Sequence, residues 1–243
     1  MTSERYVRQR PLLGEEGQRK LAQASVFIAG AGGLGSPVAT YLAAAGVGHI
    51  TLLDCDTVDE TNLNRQFLHS SKDIGQKKAQ SGADKLRALN PEIEITVKTE
   101  KLTADNVSDL AGGCQIIADA LDNNETRRIL ARFAQETGRP IFHGAVSGWY
   151  GQFAAFVPDK EASGACYFCA FLEESEQKNE QEAPFPIVGT TAGIVGSMQA
   201  NAIVKHIIGI EIETGCLFIW DGMKQSLDKI EILKDENCPI CSK

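Results

Sequence analysis

The sequence predicts an α/β protein whose doubly wound sheet is parallel in its N-terminal part and continued by antiparallel strands in its C-terminal part. Three observations carry this expectation. A short apolar run, Val26 to Ala29, ends directly in the turn Gly30-Ala31-Gly32-Gly33-Leu34-Gly35, and an apolar helical pattern follows through Ala45. Apolar runs and helical patterns then alternate as far as His143, as βαβ units and a parallel sheet require. From Trp149 the pattern changes to strands of antiparallel character.

Residues Glu4 to Gln23 read as a short arm and an amphipathic helix, made basic by Arg5, Arg8, Arg10 and Arg19. The glycine turn comes next, in the context that makes such a turn a nucleotide site: glycines let the backbone approach a phosphate, and the helix N-terminus offers it free N–H groups. A second apolar run, Ile50 to Leu53, ends at Asp54, about 20 residues past the glycines, where a carboxylate in a βαβ nucleotide site meets the ribose hydroxyls. The polar segment from Asp56 to Gln66 should be a loop at the C-terminal edge of the sheet, the edge where open α/β sheets bind ligands. Gly75-Gln76-Lys77-Lys78 opens a helix to about Leu89, and Asn90-Pro91 closes it before a strand, Ile93 to Val97. A helix around Asp105 to Ala111 leads to an apolar strand that begins at Gln115 and runs into Asp119, Asp122, Asn123 and Asn124. Helix Glu125 to Glu136 and strand Ile141 to His143 complete the alternation.

Trp149 to Val157, Cys216 to Trp220 and Ser226 to Leu233 read as strands, the last two joined at Asp221-Gly222. Between the first two lie an acidic loop, Leu172 to Pro184, whose composition predicts mobility, and a helix, Thr191 to Ile208, with Gly193 and Gly196 placed for close packing.

The 243 residues suffice for a substantial core, and no linker divides them. A formal charge of −8 argues against nucleic acid or an anionic membrane as the main partner. The N-terminus lacks an apolar signal region and the long stretch Ile187 to Ile210 is interrupted by polar residues, which predicts a cytoplasmic protein. Four of the seven cysteines form two C-x-x-C pairs, Cys166/Cys169 and Cys238/Cys241. In a reducing compartment these suggest the four thiolates of a closed structural zinc site, with redox dithiols the alternative. The four histidines, His49, His69, His143 and His206, lack ligand spacing and read as structural.

Arg8, Arg65, Lys78 and Asp122 form a second constellation. A dinucleotide's pyrophosphate is satisfied by the glycine turn and helix dipole, whereas a triphosphate needs further cations and a magnesium ligand. Arg and Lys suit the phosphates and Asp122 the metal. The competing readings are an NAD-dependent oxidoreductase, which has no use for these residues, and a nucleotide-binding scaffold without turnover.

In this order, Arg5-Tyr6-x-Arg8-Gln9, Gly30-x-Gly-Gly-Leu-Gly35, Asp54-x-Asp56, Asn62-Leu-x-Arg65-Gln66, Gly75-Gln-x-Lys78, Asp122-Asn123 and the two C-x-x-C pairs resemble the ThiF/MoeB/HesA family of ubiquitin-activating-enzyme-like adenylyltransferases. The resemblance covers nearly the whole chain. It implies a homodimer that uses ATP and magnesium to adenylate the C-terminal Gly-Gly carboxylate of a small ubiquitin-fold sulfur carrier, releasing pyrophosphate, in molybdopterin or thiamine biosynthesis. Residues 1–148 would bind ATP and 149–243 would hold zinc and dock the carrier, within a single Rossmann-like domain.

The resemblance further implies that Gly32, Gly33, Leu34, Gly35, Asp56, Asn62, Gln66 and Asn123 line the nucleotide site, with Gly33 against the nucleotide and Asp54 on the ribose. Arg65 and Lys78 would hold phosphates, Asp122 magnesium, and Arg8 would enter the neighbouring subunit's site. One departure stands out: many relatives carry a cysteine in the loop before the long helix, where this chain has Glu182. The remaining cysteines, Cys55, Cys114 and Cys216, are expected to be buried and inert. The reaction should then stop at a held acyl-adenylate, with sulfur delivered by a separate protein.

Overall fold

Helix and strand alternate through the first half of the chain. In the computed structural model, which describes residues 4–158, 164–171 and 186–242, α1 (Arg10–Gln23) precedes β1 (Ser25–Ala29), α2 (Gly35–Ala45) and β2 (His49–Leu53). There follow α3 (Lys78–Leu89), β3 (Glu94–Lys98), α4 (Val107–Ala111), β4 (Ile116–Asp119), α5 (Asn124–Glu136) and β5 (Ile141–Ser147). The second half contributes β6 (Tyr150–Phe156), α6 (Tyr167–Ala170), α7 (Gly189–Ile208), β7 (Cys216–Asp221) and β8 (Ser226–Glu231).

These strands form one sheet in the order β3-β2-β1-β4-β5-β6-β7-β8. Pairing is parallel from β3 to β5 and antiparallel from β5 to β8. The expected change of character is therefore real and occurs at β5. The chain steps outward from β1 to β2 and β3, then returns to place β4 on the other side of β1. Such a reversal leaves a crevice at the carboxyl ends of the two strands, which is where ligands bind in open α/β sheets.

Successive side chains of β1 point to opposite faces, so both faces need covering. Val26 and Ile28 join a core with Leu42 of α2, Leu86 of α3 and Val195 and Ile203 of α7. Phe27 and Ala29 join a second core with Leu130 and Phe133 of α5 and with all four C-x-x-C cysteines. Burial on both faces is why these strands read as continuous apolar runs rather than alternating ones.

Several boundaries differ from expectation. The N-terminal segment is a short arm and a helix as expected, with Glu4–Tyr6 a 3-10 turn, but Gly14, with φ of +70°, breaks α1. Strand β5 runs on to Ser147 because it forms a hairpin with β6; Gly148, with φ of +59°, makes the turn, and Trp149 lies in it rather than in a strand. Helix α3 starts at Lys78, after a turn in which Gly75 has φ of +86°. Gly196 packs closely, since a Cβ there would stand 2.4 Å from Pro37 Cγ, but Gly193 faces open space. Glu182 and the loop from Leu172 to Pro184 lie outside the described residues. Among those described, no helix is long and apolar enough to cross a membrane.

Candidate active site

The glycine turn is held by main-chain contacts that no side chain could share. Gly30 has φ of +105° and would place a Cβ 2.6 Å from the carbonyl oxygen of Ala120, while a Cβ on Gly35 would lie 1.9 Å from that of Gly30. The turn is fastened to β2: Gly30 N donates to Leu53 O at 2.8 Å, and Ala31 N donates to Asp54 Oδ2 at 2.8 Å. Asp54 Oδ1 accepts from Asp56 N at 2.9 Å, so this one carboxylate organises both loops. No side chain caps the N-terminus of α2. Ser36 N donates instead to Gly32 O at 2.9 Å and Pro37 has no N–H, so what this end of α2 offers the crevice is the positive end of its dipole and the glycine turn before it.

Arg65 approaches this turn from the following loop, and Lys78 pairs with Asp56 beside it. A Cβ on Gly33 would lie 3.5 Å from Arg65 Cγ and 3.4 Å from Ala192 Cβ, and one on Gly32 would lie 3.5 Å from Gln66 Nε2. Arg65 is half-buried and donates through Nη1 to Thr61 O and Asn64 Oδ1, both at 2.9 Å. Asn62 closes a capping box, its Oδ1 accepting from Asp59 N at 3.1 Å. Gln66 is buried, and its Oε1 has no hydrogen-bond partner among the described residues. Lys78, the first residue of α3 and also buried, places Nζ 3.0 Å from Asp56 Oδ2.

The structure thus gathers Gly32, Gly33, Arg65 and Gln66 at the turn, and Asp54, Asp56 and Lys78 beside it; Leu34 and Gly35 enter α2. Asp122 and Asn123 lie across the crevice, exposed in the turn after β4. Asn123 also caps α5, accepting from Thr126 N at 2.9 Å. Arg8 is not brought to this group. Its neighbours fix the arm at the C-terminal end of α2: Gln9 Nε2 donates to Ala45 O at 2.8 Å, and Tyr6 packs so tightly on Gly46 that a Cβ there would meet its ring at 2.7 Å. Eleven helical residues, roughly 16 Å of helix, separate that end from the glycine turn.

Sequence reasoning missed a buried polar cluster beneath Asp122. Asp119, His143, Arg127 and Gln199, all buried, join β4, β5, α5 and α7 through hydrogen bonds. The available signal was two polar residues, Asp119 and His143, each following an apolar run. As expected, the other histidines are built into the fold. His69 contacts Ala31 O and Ser81 Oγ, His49 contacts Thr96 Oγ1, and His206 packs on Phe142.

The two C-x-x-C pairs, distant in sequence, converge. Cys166 Sγ lies 3.8 Å from Cys169 and 3.6 Å from Cys238, and Cys169 lies 3.5 Å from Cys241. Tetrahedral thiolates at about 2.3 Å from a zinc ion stand roughly 3.8 Å apart, so the four sulfurs fit that ion. Burial pushes the Cys166 thiol far up, so four thiolates need a cation to persist here. Among the described residues this is the one His/Cys/Asp/Glu group with metal-site geometry.

The expected burial of the other three cysteines holds for Cys114 and Cys216 but not for Cys55, which is exposed. Strand β2 ends at Leu53, so Cys55 already lies in the loop beyond the sheet. Partial burial and the carboxylates of Asp56 and Asp54 push its thiol up, away from the reactive thiolate.

A model of the ThiF family matches residues 6–240. The SAMP-activating enzyme E1 of Haloferax volcanii is 35% identical over 231 residues, covering 94% of this chain and 84% of its own length. The sulfur carrier protein ThiS adenylyltransferase of Escherichia coli K12 is 34% identical over 240 residues, covering 98% of this chain and 94% of its own. Among solved structures, E. coli MccB with ATP matches in fold, with a TM-score of 0.87 at 21% identity over 100% of this chain and 75% of that one. With a family model spanning nearly the whole chain and relatives similar along nearly all of it, the chain belongs to the ThiF family and is an adenylyltransferase.

Proposed function

We propose that this protein uses ATP and magnesium to adenylate the C-terminal Gly-Gly carboxylate of a small ubiquitin-fold sulfur carrier, for molybdopterin or thiamine biosynthesis. The observation that carries the reading is Arg65 set against a glycine turn at a helix N-terminus, in the crevice between β1 and β4, with Lys78 held by Asp56 beside it. The cations exceed what a dinucleotide needs and suit a triphosphate. Sulfur-carrier substrates named for the relatives support the choice of acceptor.

The carrier's carboxylate is already ionised and needs no general base. One of its oxygens forms a bond to the α-phosphorus, the bond from that phosphorus to the bridging oxygen breaks, and pyrophosphate leaves with the electron pair. The protein's task is to position the reactants and stabilise charge on the phosphate oxygens. Asp54 receives the ribose, and the glycine turn with the positive end of the α2 dipole faces the phosphates. Arg65 adds its guanidinium, and Lys78 exchanges Asp56 for a phosphate oxygen. Asp122 would hold the magnesium ion, which would supply charge neutralisation at the phosphates. Zinc at Cys166, Cys169, Cys238 and Cys241 is structural.

Arg8 acts in trans. The tethering of its arm to the far end of α2 supports this, because its own crevice is out of reach, and a homodimer supplies the second site. The exposed Trp149, Tyr150, Leu227 and Ile230 support docking of the carrier on the antiparallel part.

ATP–pyrophosphate exchange against a panel of ubiquitin-fold proteins tests the reading, and the carrier that stimulates exchange identifies the pathway. Arg8→Ala and Asp122→Ala homodimers should each be nearly inactive. Mixed dimers contain one intact site and should recover up to about half of wild-type activity if the sites are independent. Heterodimers that form and stay inactive would rule out the composite site.

A further inference from the structure

We propose that His143 is a positioning residue of the nucleotide site: it fixes the Asp119 carboxylate, which in turn sets the turn that carries Asp122 to the crevice. The proposal rests on the reading of Asp122 as the magnesium ligand.

Asp119 ends β4 and is wholly buried. A carboxylate removed from water must be held by several donors. Oδ2 accepts from His143 Nδ1 at 2.7 Å and lies 3.7 Å from Arg127 Nε, while Oδ1 accepts from Leu121 N at 3.1 Å. The carbonyl oxygen of Asp119 accepts from Gln199 Nε2 at 2.9 Å. Arg127 Nη2 donates to the carbonyl oxygen of Leu121, and its Nη1 donates to Asn124 Oδ1 at 3.3 Å. Both main-chain polar groups of Leu121, the residue immediately before Asp122, are therefore tied to this cluster. Asn123, the residue after it, is tied to α5 by its cap. Asp122 itself is exposed, so its placement comes from the turn and not from packing of its own side chain.

The state of the His143 ring follows from its partners. Nε2 faces the Gln152 amide nitrogen at 3.2 Å, and an amide N–H can only donate. Nε2 is therefore the acceptor, the ring is neutral, and its proton sits on Nδ1, directed at Asp119. Burial and the Arg127 guanidinium favour the neutral ring, against the pull of Asp119. On its other sides the ring meets Tyr167 edge-on at 5.4 Å and Phe171 at 4.9 Å between centroids, so it cannot swing away. Tyr167 lies within the Cys166–Cys169 knuckle and Phe171 just after α6, which joins the metal-binding part of the molecule to the turn that carries Asp122.

A residue that only filled space would affect stability and nothing else. The discriminating measurement is the Mg2+ concentration that gives half-maximal binding of a fluorescent ATP analogue to the full-length protein. Wild type is compared with Asp122→Asn, His143→Phe, His143→Asn and the double variant Asp122→Asn/His143→Phe, with thermal unfolding recorded for each. Asparagine keeps a donor near the Nδ1 position and phenylalanine keeps the volume without it.

The expected result is a rise of about tenfold for His143→Phe, in the range typical when a residue orienting a metal ligand is removed. His143→Asn should stay within about threefold of wild type. The double variant should match Asp122→Asn alone, because His143 acts through Asp122. Should His143→Phe fail to fold, His143→Leu, smaller and equally unable to donate, replaces it. If Asp122→Asn shifts the magnesium requirement and a folded apolar His143 variant does not, the positioning role is wrong. If Asp122→Asn itself leaves that requirement unchanged, the reading of Asp122 fails first and takes the proposal with it.

Discussion

At the parallel end of the sheet the functional residues are held by main chain, whereas the α6 knuckle and the C-terminal segment after β8 meet through four sulfurs from segments 72 residues apart. The glycine turn, Asp54 and the ends of β1 and β2 fasten one another within a single βαβ unit, over strands covered on both faces. The cysteine knuckle has a four-residue helix, α6, and a C-terminal segment without a strand of its own. Around it, Arg128 and Arg132 lie over the Phe168 ring, at 5.3 and 5.5 Å from its centroid. The contrast teaches that a closed metal site can fasten a segment without a strand of its own to an existing core, since metal binding to such a site is folding free energy.

The comparison breaks most sharply at Cys238. Cys238→Ser should abolish stoichiometric zinc and lower the unfolding temperature by more than ~10 °C, because a lost structural zinc removes several kcal/mol. Metal analysis and thermal unfolding check this. Full zinc content in the variant would show that the four sulfurs do not act as one site.

At the parallel end the weak point is a hydrogen atom. Gly35→Ala drives a methyl group into the Gly30 carbonyl and should cost about 3 kcal/mol or more. Gly193→Ala, also helical but facing open space, should gain up to ~1 kcal/mol. Denaturant unfolding of the two variants reads the difference, and similar effects at both positions would refute the account of the turn.

The smallest effect sharpens the comparison from the loop that precedes Lys78. Burial alone would raise the Asp73 carboxyl, but hydrogen bonds from Lys85, with Nζ at 2.5 Å, and from Ser70 hold it down at about 2. Its folded value lies below the unfolded one, about 3.9. The stability it contributes is thus complete above pH ~4 and lost as pH falls toward 2. Asp73→Asn should be less stable than wild type at neutral pH, with the gap closing across that window in urea unfolding curves.

What was legible in the sequence was local. The strand, glycine turn and helix around Gly30 to Gly35, and the Asp54 that follows, declare themselves because main-chain geometry constrains neighbouring residues to few types. The C-x-x-C pairs were legible because their spacing is chemical. The Asp119 cluster was not, since its partners arrive from α5, β5 and α7 and nothing near Asp119 announces them. Gly193 and Gly196 look alike in sequence; which of them meets α2 depends on the rotation of α7. The exposure of Cys55 turned on a strand boundary two residues away, the scale at which local patterns lose resolution.

Among the described residues, strand β8 bonds only to β7, and its outer edge has no neighbouring strand. Leu227 and Ile230 are about half exposed, and Asp228, Lys229 and Glu231 are exposed beside them, charges of the kind that discourage pairing with a second edge. A strand secured from one side opens by fraying, at a free energy well below that of global unfolding. In deuterated water the sheet should therefore exchange its amides from β8 inward, while β1, enclosed by β2 and β4, keeps its protons until the whole domain unfolds. The exchange map of this molecule is slowest at β1 and β4, under the nucleotide crevice, and quickens toward both outer strands, β8 and β3.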